Sequence, residues 1–305
     1  MRANGKTAVA LLVVALTTVG CSKNDKAQTK GVAPDSAPLK PVAQSGVPAT
    51  LKQIDDEEGL PVETKPKARD RAATGPASFA EGEAAYKAKK YTVATTIFDR
   101  YTAEKPDNAW GHFMLGLSAW KGGDLAKSEK AFKAALAIDP DHLKSLMNLS
   151  RVLIEEKRFD DALDTLMRAG DIEPTSNEVQ RLIGRASHAL GKTDDAIEAY
   201  RHALELDEKD IWSMNNLGLV FLEQKRAEEA MPLFLKAVDL RKDVAAFHNN
   251  LGMAFEHTRR FKDAAEAYND ALSADAGYEK AKQNLARVEA IKVTGDDDDD
   301  RAGSK

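Results

Sequence analysis

Cysteine and histidine, the residues most often used as nucleophiles and metal ligands, are few in this sequence. They are not spaced for catalysis or metal binding. Its one cysteine, Cys21, allows neither an intrachain disulfide nor a thiolate metal cluster. The six histidines show no H-E-x-x-H or other ligand spacing; they are His112, His142, His188, His202, His248 and His257. We therefore expect no metal and no cofactor.

One short segment, Gly191-Lys192-Thr193, resembles the end of a phosphate-binding loop. The full pattern requires glycine where Ala186 stands, and a strand before the loop. We favour the alternative that Gly191 forms a tight turn between two helices. The sequence also lacks a nucleophile elbow and a glycine-rich dinucleotide turn. It therefore predicts a protein that is not an enzyme.

Cys21 is the remaining candidate for chemical modification. It follows an N-terminal segment that is typical of exported proteins. Arg2 and Lys6 precede an apolar stretch over residues 8–16. This stretch is shorter than the about 20 residues that cross a bilayer. A basic start followed by a short apolar core indicates a signal peptide over residues 1–20.

The residues around Cys21 resemble the lipobox of bacterial lipoproteins. Val19 and Gly20 fit that pattern, whereas Thr18 stands where the family usually has leucine. The resemblance implies cleavage before Cys21 and acyl chains on that cysteine. Ser22 in the next position implies sorting to the periplasmic face of the outer membrane. An ordinary secretory signal with a cysteine by chance is the alternative.

Residues 21–76 have the composition of a tether. They hold seven prolines among small and charged residues and show no apolar periodicity, so nothing offsets the entropy of ordering the chain. We predict a lipidated, disordered tether. The basic cluster over residues 65–71 is interpreted as charged residues that keep the tether in water. Alternatively, Lys65, Lys67 and Arg69 contact peptidoglycan or a partner.

A period of 34 residues begins after residue 76. Small residues recur at one position: Gly82, Gly116, Ser150, Gly184, Gly218 and Gly252. A second position holds Ala94, Ser128, Ala162, Ala196, Ala230 and Ala264. Four residues later stand Phe98, Phe132, Leu166, Tyr200, Phe234 and Tyr268. Small side chains let two helices approach closely, and the large ones fill the space between pairs.

This pattern resembles the tetratricopeptide repeat (TPR). The resemblance implies an all-α fold, a right-handed superhelix (α-solenoid) of six TPR helix pairs. Residues 77–292 would form the repeats and a C-terminal capping helix, because each pair has an apolar face that it cannot bury alone. Residues 293–305 include a run of five aspartates and are predicted to be an acidic, disordered tail.

In this fold, certain positions of each first helix line the concave surface. One of them holds four asparagines: Asn148, Asn216, Asn250 and Asn284. An amide both donates and accepts, so it can pair with an extended peptide backbone. The set resembles the asparagine ladder in the repeat domain of O-linked N-acetylglucosamine transferases. Alternatively, these asparagines are ordinary polar residues of the helix consensus and have no binding role.

Two further groups on this surface are candidate peptide-binding residues. Trp110, Phe113 and Leu117 are candidate apolar anchors, and Trp120 on the same stripe has a share in core packing. Arg151, Arg181 and Arg185, together with Asn148, resemble part of the carboxylate clamp of cochaperones. The remaining clamp positions hold Phe113 and Leu117. Such a groove suits an amphipathic or acidic peptide.

The function that these features predict is protein binding in the cell envelope. A net charge of −5 argues against nucleic-acid binding, which needs a basic face. A lipidated chain with six repeats resembles the pilotins of type IV pilus systems, which help a secretin subunit to assemble. An adaptor for peptidoglycan (cell-wall) enzymes or another envelope complex is the second interpretation. A hydrolase or transferase is the third.

Overall fold

The computed structural model describes residues 77–302, with side chains up to residue 291. The signal peptide, Cys21, the tether and residues 303–305 lie outside the described residues. Within them, thirteen helices follow one another without a strand. The first helices of the six pairs are α1 (Phe79–Lys87), α3 (Ala109–Lys121), α5 (Leu143–Glu155), α7 (Asn177–Ala189), α9 (Ile211–Glu223) and α11 (Ala245–His257).

The second helices of the pairs all span 14 residues. They are α2 (Tyr91–Glu104), α4 (Leu125–Ile138), α6 (Phe159–Ile172), α8 (Thr193–Leu206), α10 (Ala227–Leu240) and α12 (Phe261–Ala274). Helix α13 (Glu279–Ala302) follows the sixth pair. The predicted α-solenoid of six pairs with an added C-terminal helix is confirmed.

Helix α13 extends past residue 292, where we expected the repeats to end and a disordered tail to begin. The acidic, disordered tail over residues 293–305 stays a prediction. None of the described helices has the length and apolarity needed to cross a membrane.

Each helix pair turns through one residue with a positive φ angle. Gly191 is one of these residues, at φ 74°. Lys192 N–H then donates to the carbonyl of Ser187, which closes a glycine-type helix end. This geometry confirms that Gly191 forms a turn between two helices. Residues with side chains also occupy this position, as at Lys225 (φ 61°).

The close approach within each pair depends on the small residue of the first helix. A Cβ atom on Gly184 would lie 2.8 Å from the ring of Tyr200, and one on Gly252 would lie 2.5 Å from Tyr268. Ser150 is the exception, and its pair has Leu166 in place of an aromatic residue. The 34-residue period thus places a small residue of each first helix against a large side chain of the second helix in the same pair.

The buried apolar residues form two large clusters. One spans residues 94–186 and the other spans residues 196–288. Around helices α7 and α9 the interior is more polar, with Arg185, Asp210 and Asn216 all buried. In the described part of the chain, the first helices of neighbouring repeats pack directly against each other. The second helices of neighbouring repeats make fewer contacts with each other. The first helices therefore line the inner side of the stack.

Candidate functional site

Trp110 forms an exposed aromatic platform at the N-terminal end of the inner face. Its side chain is 42% exposed. Its ring centroid lies 4.9 Å from that of Phe113 and 5.4 Å from that of His142, and the Lys144 Nζ lies 5.1 Å from the Trp110 centroid. Phe113 itself is only 5% exposed and also contacts Phe132. Phe113 therefore belongs to the core that supports Trp110, not to the exposed anchors.

His142 lies beneath this platform and also begins helix α5. Its Nδ1 accepts the Ser145 N–H at 3.2 Å, so the neutral ring caps the helix. Burial lowers the pKa of His142, Lys144 lowers it further, and Asp139 acts in the opposite direction. The platform is therefore built on an uncharged imidazole at neutral pH.

The next residues along this face are half-buried. Leu117 packs against the core, so it offers only part of its side chain to a partner. The indole Nε1 of Trp120 donates to Glu155 Oε1 at 2.8 Å, and Lys121 Nζ lies 4.8 Å from the Trp120 ring centroid. Trp120 thus joins helices α3 and α5, in agreement with its predicted share in packing.

The three arginines are held by neighbouring repeats. Arg151 forms an ion pair with Glu178, and Arg181 Nη1 forms one with Asp210 Oδ1 at 2.8 Å. Arg185 is 8% exposed, and burial lowers its pKa. Two of the three arginines are thus neutralised by carboxylates. An open basic patch is not formed, because those carboxylates lie on the next helix along the stack.

Asp210 is a central residue that sequence reasoning missed. Its Oδ1 accepts the N–H groups of Trp212 at 3.2 Å and Ser213 at 3.3 Å, and it therefore caps helix α9. Its Oδ2 accepts from Asn177 Nδ2 at 3.3 Å. An aspartate directly before a helical segment is a known cap signal, so its position could have been found from the sequence. Its pairing with Arg181 could not.

The asparagine ladder is internally bonded instead of open. Asn250 Nδ2 donates to Asn215 Oδ1 at 2.8 Å, and Asn284 Nδ2 donates to Asn249 Oδ1 at 2.9 Å. Asn250 is 2% exposed and Asn216 is 4% exposed. The predicted free amides at these two positions are therefore corrected to buried groups. Asn215 and Asn249 were not predicted, although each directly precedes a ladder residue.

Asn148 differs from the other ladder residues. Its Nδ2 donates to the carbonyl of Lys144 on its own helix at 2.8 Å, and its side chain is only half-buried. Among the predicted polar residues, Asn148 lies one turn from Lys144, which covers Trp110, and its side chain remains partly accessible. The accessible part of the candidate site lies at its N-terminal end.

Two histidines at equivalent repeat positions make equivalent contacts. His112 Nε2 lies 2.8 Å from the carbonyl oxygen of Pro106, and His248 Nε2 lies 2.9 Å from that of Lys242. Packing accounts for both, as predicted. In the described part of the chain, no group of three or more His, Cys, Asp or Glu side chains is arranged to hold a metal ion.

Three family models match consecutive parts of the chain. Two models described as "Tetratricopeptide repeat" match residues 119–186 and 215–279, and one described as "TPR repeat" matches residues 184–225. The matched segments overlap and together run through most of the helical stack. They support a protein-interaction scaffold built from repeats.

Curated proteins match shorter segments. Human tetratricopeptide repeat protein 7B is 32% identical over 95 residues, which is 31% of this chain and 11% of that protein. The Drosophila melanogaster protein O-mannosyl-transferase Tmtc3 is 29% identical over 120 residues, 39% of this chain and 13% of that protein. The chain thus spans about a tenth of the length of these relatives.

A solved structure has the same fold. A thermophilic TPR protein of Thermus thermophilus superposes with a TM-score of 0.51 at 16% identity, covering 60% of this chain and all of that one. At this identity the likeness concerns the fold alone. The matched models, the 34-residue period and the paired helices agree, and the chain therefore contains tetratricopeptide repeats, which the family models match from residue 119 to residue 279.

Proposed function

We propose that this chain is a non-enzymatic scaffold that binds a segment of a partner protein along the inner face of its first helices. The observation that carries the proposal is the exposure of Trp110. The other large aromatic side chains of the stack are mostly packed in its interior, whereas Trp110 lies open on a rigid base of Phe113 and His142. A rigid, exposed indole is the kind of group that anchors protein partners.

The residues around Trp110 favour a partner segment that has an apolar or aromatic side chain close to an acidic one. Lys144 is exposed, lies over the indole and forms no ion pair within the described residues. Asn148 is one turn further along the same helix and supplies an amide for the backbone of the partner. One well-packed anchor of this kind is worth about 2 kcal/mol or more.

The place of this binding is proposed from the sequence outside the described residues. Acylation at Cys21 and a tether over residues 21–76 would hold the repeats at the periplasmic face of the outer membrane. A secretin subunit is the partner that a pilotin-like role predicts. An enzyme of peptidoglycan metabolism is the partner that an adaptor role predicts.

Site-specific photo-crosslinking in cells tests the proposal. A photoreactive amino acid replaces Trp110 or Lys144, and Asp160 on helix α6 serves as the exposed control position. Capture of one protein from the inner face and not from Asp160 supports the groove, and its identity separates a secretin from a cell-wall enzyme. Equal capture from all three positions would contradict the groove.

Lipid anchoring needs its own test. Cys21→Ala is expected to abolish incorporation of a clickable palmitate analogue. Incorporation that persists in Cys21→Ala would place the acyl chain elsewhere and would contradict the lipobox.

A further inference from the structure

The outer face of the stack has an open cavity of about 600 Å³ between helices α8 and α10. Leu217 and Phe221 of helix α9 form its floor. Leu204, Pro232 and Leu233 form the apolar part of its walls. This volume is within the range of ligand-binding clefts and accommodates a few side chains. The cavity is separate from the inner face that carries Trp110.

In helix α10, the fifth repeat has apolar residues at two positions where most other repeats are polar. The position of Pro232 holds Thr96, Lys130, Asp164, Glu198 and Glu266 in the other repeats. Leu235 does not line the cavity, but it lies one turn beyond Pro232 on the same face of helix α10 and is 47% exposed. Its repeat position holds Asp99, Lys133, Met167, Arg201 and Asn269 elsewhere in the chain. Comparison within the chain therefore singles out helix α10, because a general property of the repeat would appear in all six copies.

Pro232 also removes one backbone hydrogen bond from helix α10. It lies inside helix α10, and a proline has no N–H to donate to the carbonyl one turn earlier, which belongs to Glu228. Glu228 lines the same cavity.

Carboxylates surround the cavity. Glu205 and Glu228 are exposed and form no ion pair within the described residues, whereas Glu229 is paired with Arg226 at 2.6 Å. A second cavity of about 840 Å³ borders helix α8 and is lined by Asp194, Asp195 and Glu198, among others. Arg201 lies between the two cavities, with its guanidinium 5.9 Å from the centroid of Phe221. The apolar floor is thus enclosed by an excess of negative charge.

We propose that this outer cavity is a second docking surface, for an amphipathic protein segment whose leucine-type side chains are flanked by lysine or arginine. The apolar side chains would enter over Leu217 and Phe221. The cationic groups would lie between Glu205 and Glu228, where complementary charge speeds association and selects the partner. An acidic segment is disfavoured by the same carboxylates.

Titration of the full-length protein with synthetic peptides tests this surface. A lysine- and leucine-rich amphipathic peptide is expected to bind with an affinity that falls as ionic strength rises. The same peptide with glutamate for lysine is expected not to bind. A peptide of residues 60–72 of this chain, which contains its own basic segment, tests an intramolecular occupant. Tight binding of that peptide, or equal binding of the acidic peptide, would overturn the proposal.

Charge variants make the test specific. The double variant Glu205→Lys/Glu228→Lys is expected to weaken the basic peptide about tenfold or more, and Arg201→Gln to strengthen it by removing a like charge. Asp160→Lys is the matched control, since Asp160 occupies the repeat position of Glu228 two repeats earlier. If Asp160→Lys weakens binding as much, the effect is one of net charge and the site is refuted.

Apolar variants separate this surface from the inner face. Leu235→Ser is expected to weaken the basic peptide several-fold without lowering the melting temperature, because its side chain is exposed. Met167→Ser, at the same repeat position, is expected to have no effect. Trp110→Ala is likewise expected to leave this binding unchanged. Loss of the basic peptide in Trp110→Ala would place it on the inner face and refute the second surface.

Discussion

The side-chain amide of Asn250 donates to the side-chain carbonyl of Asn215, 2.8 Å away on the preceding first helix. The same contact recurs one repeat later, where Asn284 donates to Asn249 at 2.9 Å. These pairs join α9 to α11 and α11 to α13. Asn215, Asn249 and Asn250 are buried, and Asn284 is half-buried. The asparagines of the C-terminal repeats therefore hold the stack together.

Asn250→Ala is expected to lower the free energy of unfolding by about 1–3 kcal/mol, because it leaves the buried Asn215 carbonyl without its donor. Asn148→Ala is the matched control at the same repeat position. Its amide bonds only to its own helix, and we expect a change within about 0.5 kcal/mol. Chemical denaturation measures both, and equal losses would contradict the bonded ladder.

Gly184→Ala is expected to destabilise the protein by about 1–3 kcal/mol, since its Cβ would lie 2.8 Å from the Tyr200 ring. Gly170→Ala serves as the comparison. Gly170 lies in helix α6, and its nearest neighbour to an added Cβ is Val179 at 3.8 Å. This change is expected to stabilise by up to about 1 kcal/mol. Thermal melts followed by circular dichroism should show opposite shifts.

Arg181→Met is expected to cost about 3–5 kcal/mol, because it leaves the buried Asp210 carboxylate without its cation. Arg181→Met combined with Asp210→Asn should recover much of this loss, since asparagine keeps the cap of helix α9 without a charge. Denaturation of the two single variants and the double variant gives the coupling energy. Additive losses would show that the pair does not contribute to stability.

Trp110→Ala is expected to weaken partner binding about thirtyfold, equivalent to about 2 kcal/mol, with little change in stability. Trp212 occupies the same repeat position but packs edge-on against Phe247 at 5.3 Å. Trp212→Ala is expected to reduce stability instead. Once crosslinking has identified the partner, titration calorimetry and thermal melts test this division. A fall in stability without loss of binding in Trp110→Ala would refute the anchor.

His142 should give the platform a pH dependence. Burial, its largest cause, lowers the pKa of the folded-state imidazole below 6.5, so the unfolded chain takes up this proton first as pH falls. The stability that neutral His142 contributes is therefore complete above pH 6.5 and is lost as pH falls through the lowered pKa.

Fluorescence of Trp110 measures this transition. In Trp120→Phe/Trp212→Phe, Trp110 is the one tryptophan left of three. Its emission should be quenched in acid with a midpoint below 6.5, and the transition should disappear when His142→Gln is added. A midpoint above 6.5 would contradict the burial of the ring.

The sequence by itself determined the repeat architecture of this protein. The match of Gly184 to Tyr200, and its equivalents in other pairs, is a contact within one pair, so a fixed spacing along the chain is enough to specify it. The turn at Gly191 is also local. The helix count and the positions of the six pairs could therefore be predicted from one sequence.

The tertiary structure alone decided which inner-face side chains are available. Whether Asn250 contacts Asn215 or a partner depends on the twist between successive repeats, and so does the pairing of Arg181 with Asp210. Many weak contacts set that twist together, and no short spacing in the sequence encodes it. Periodicity therefore located the inner face, but only the packing of neighbouring repeats left Trp110 exposed and buried the amides.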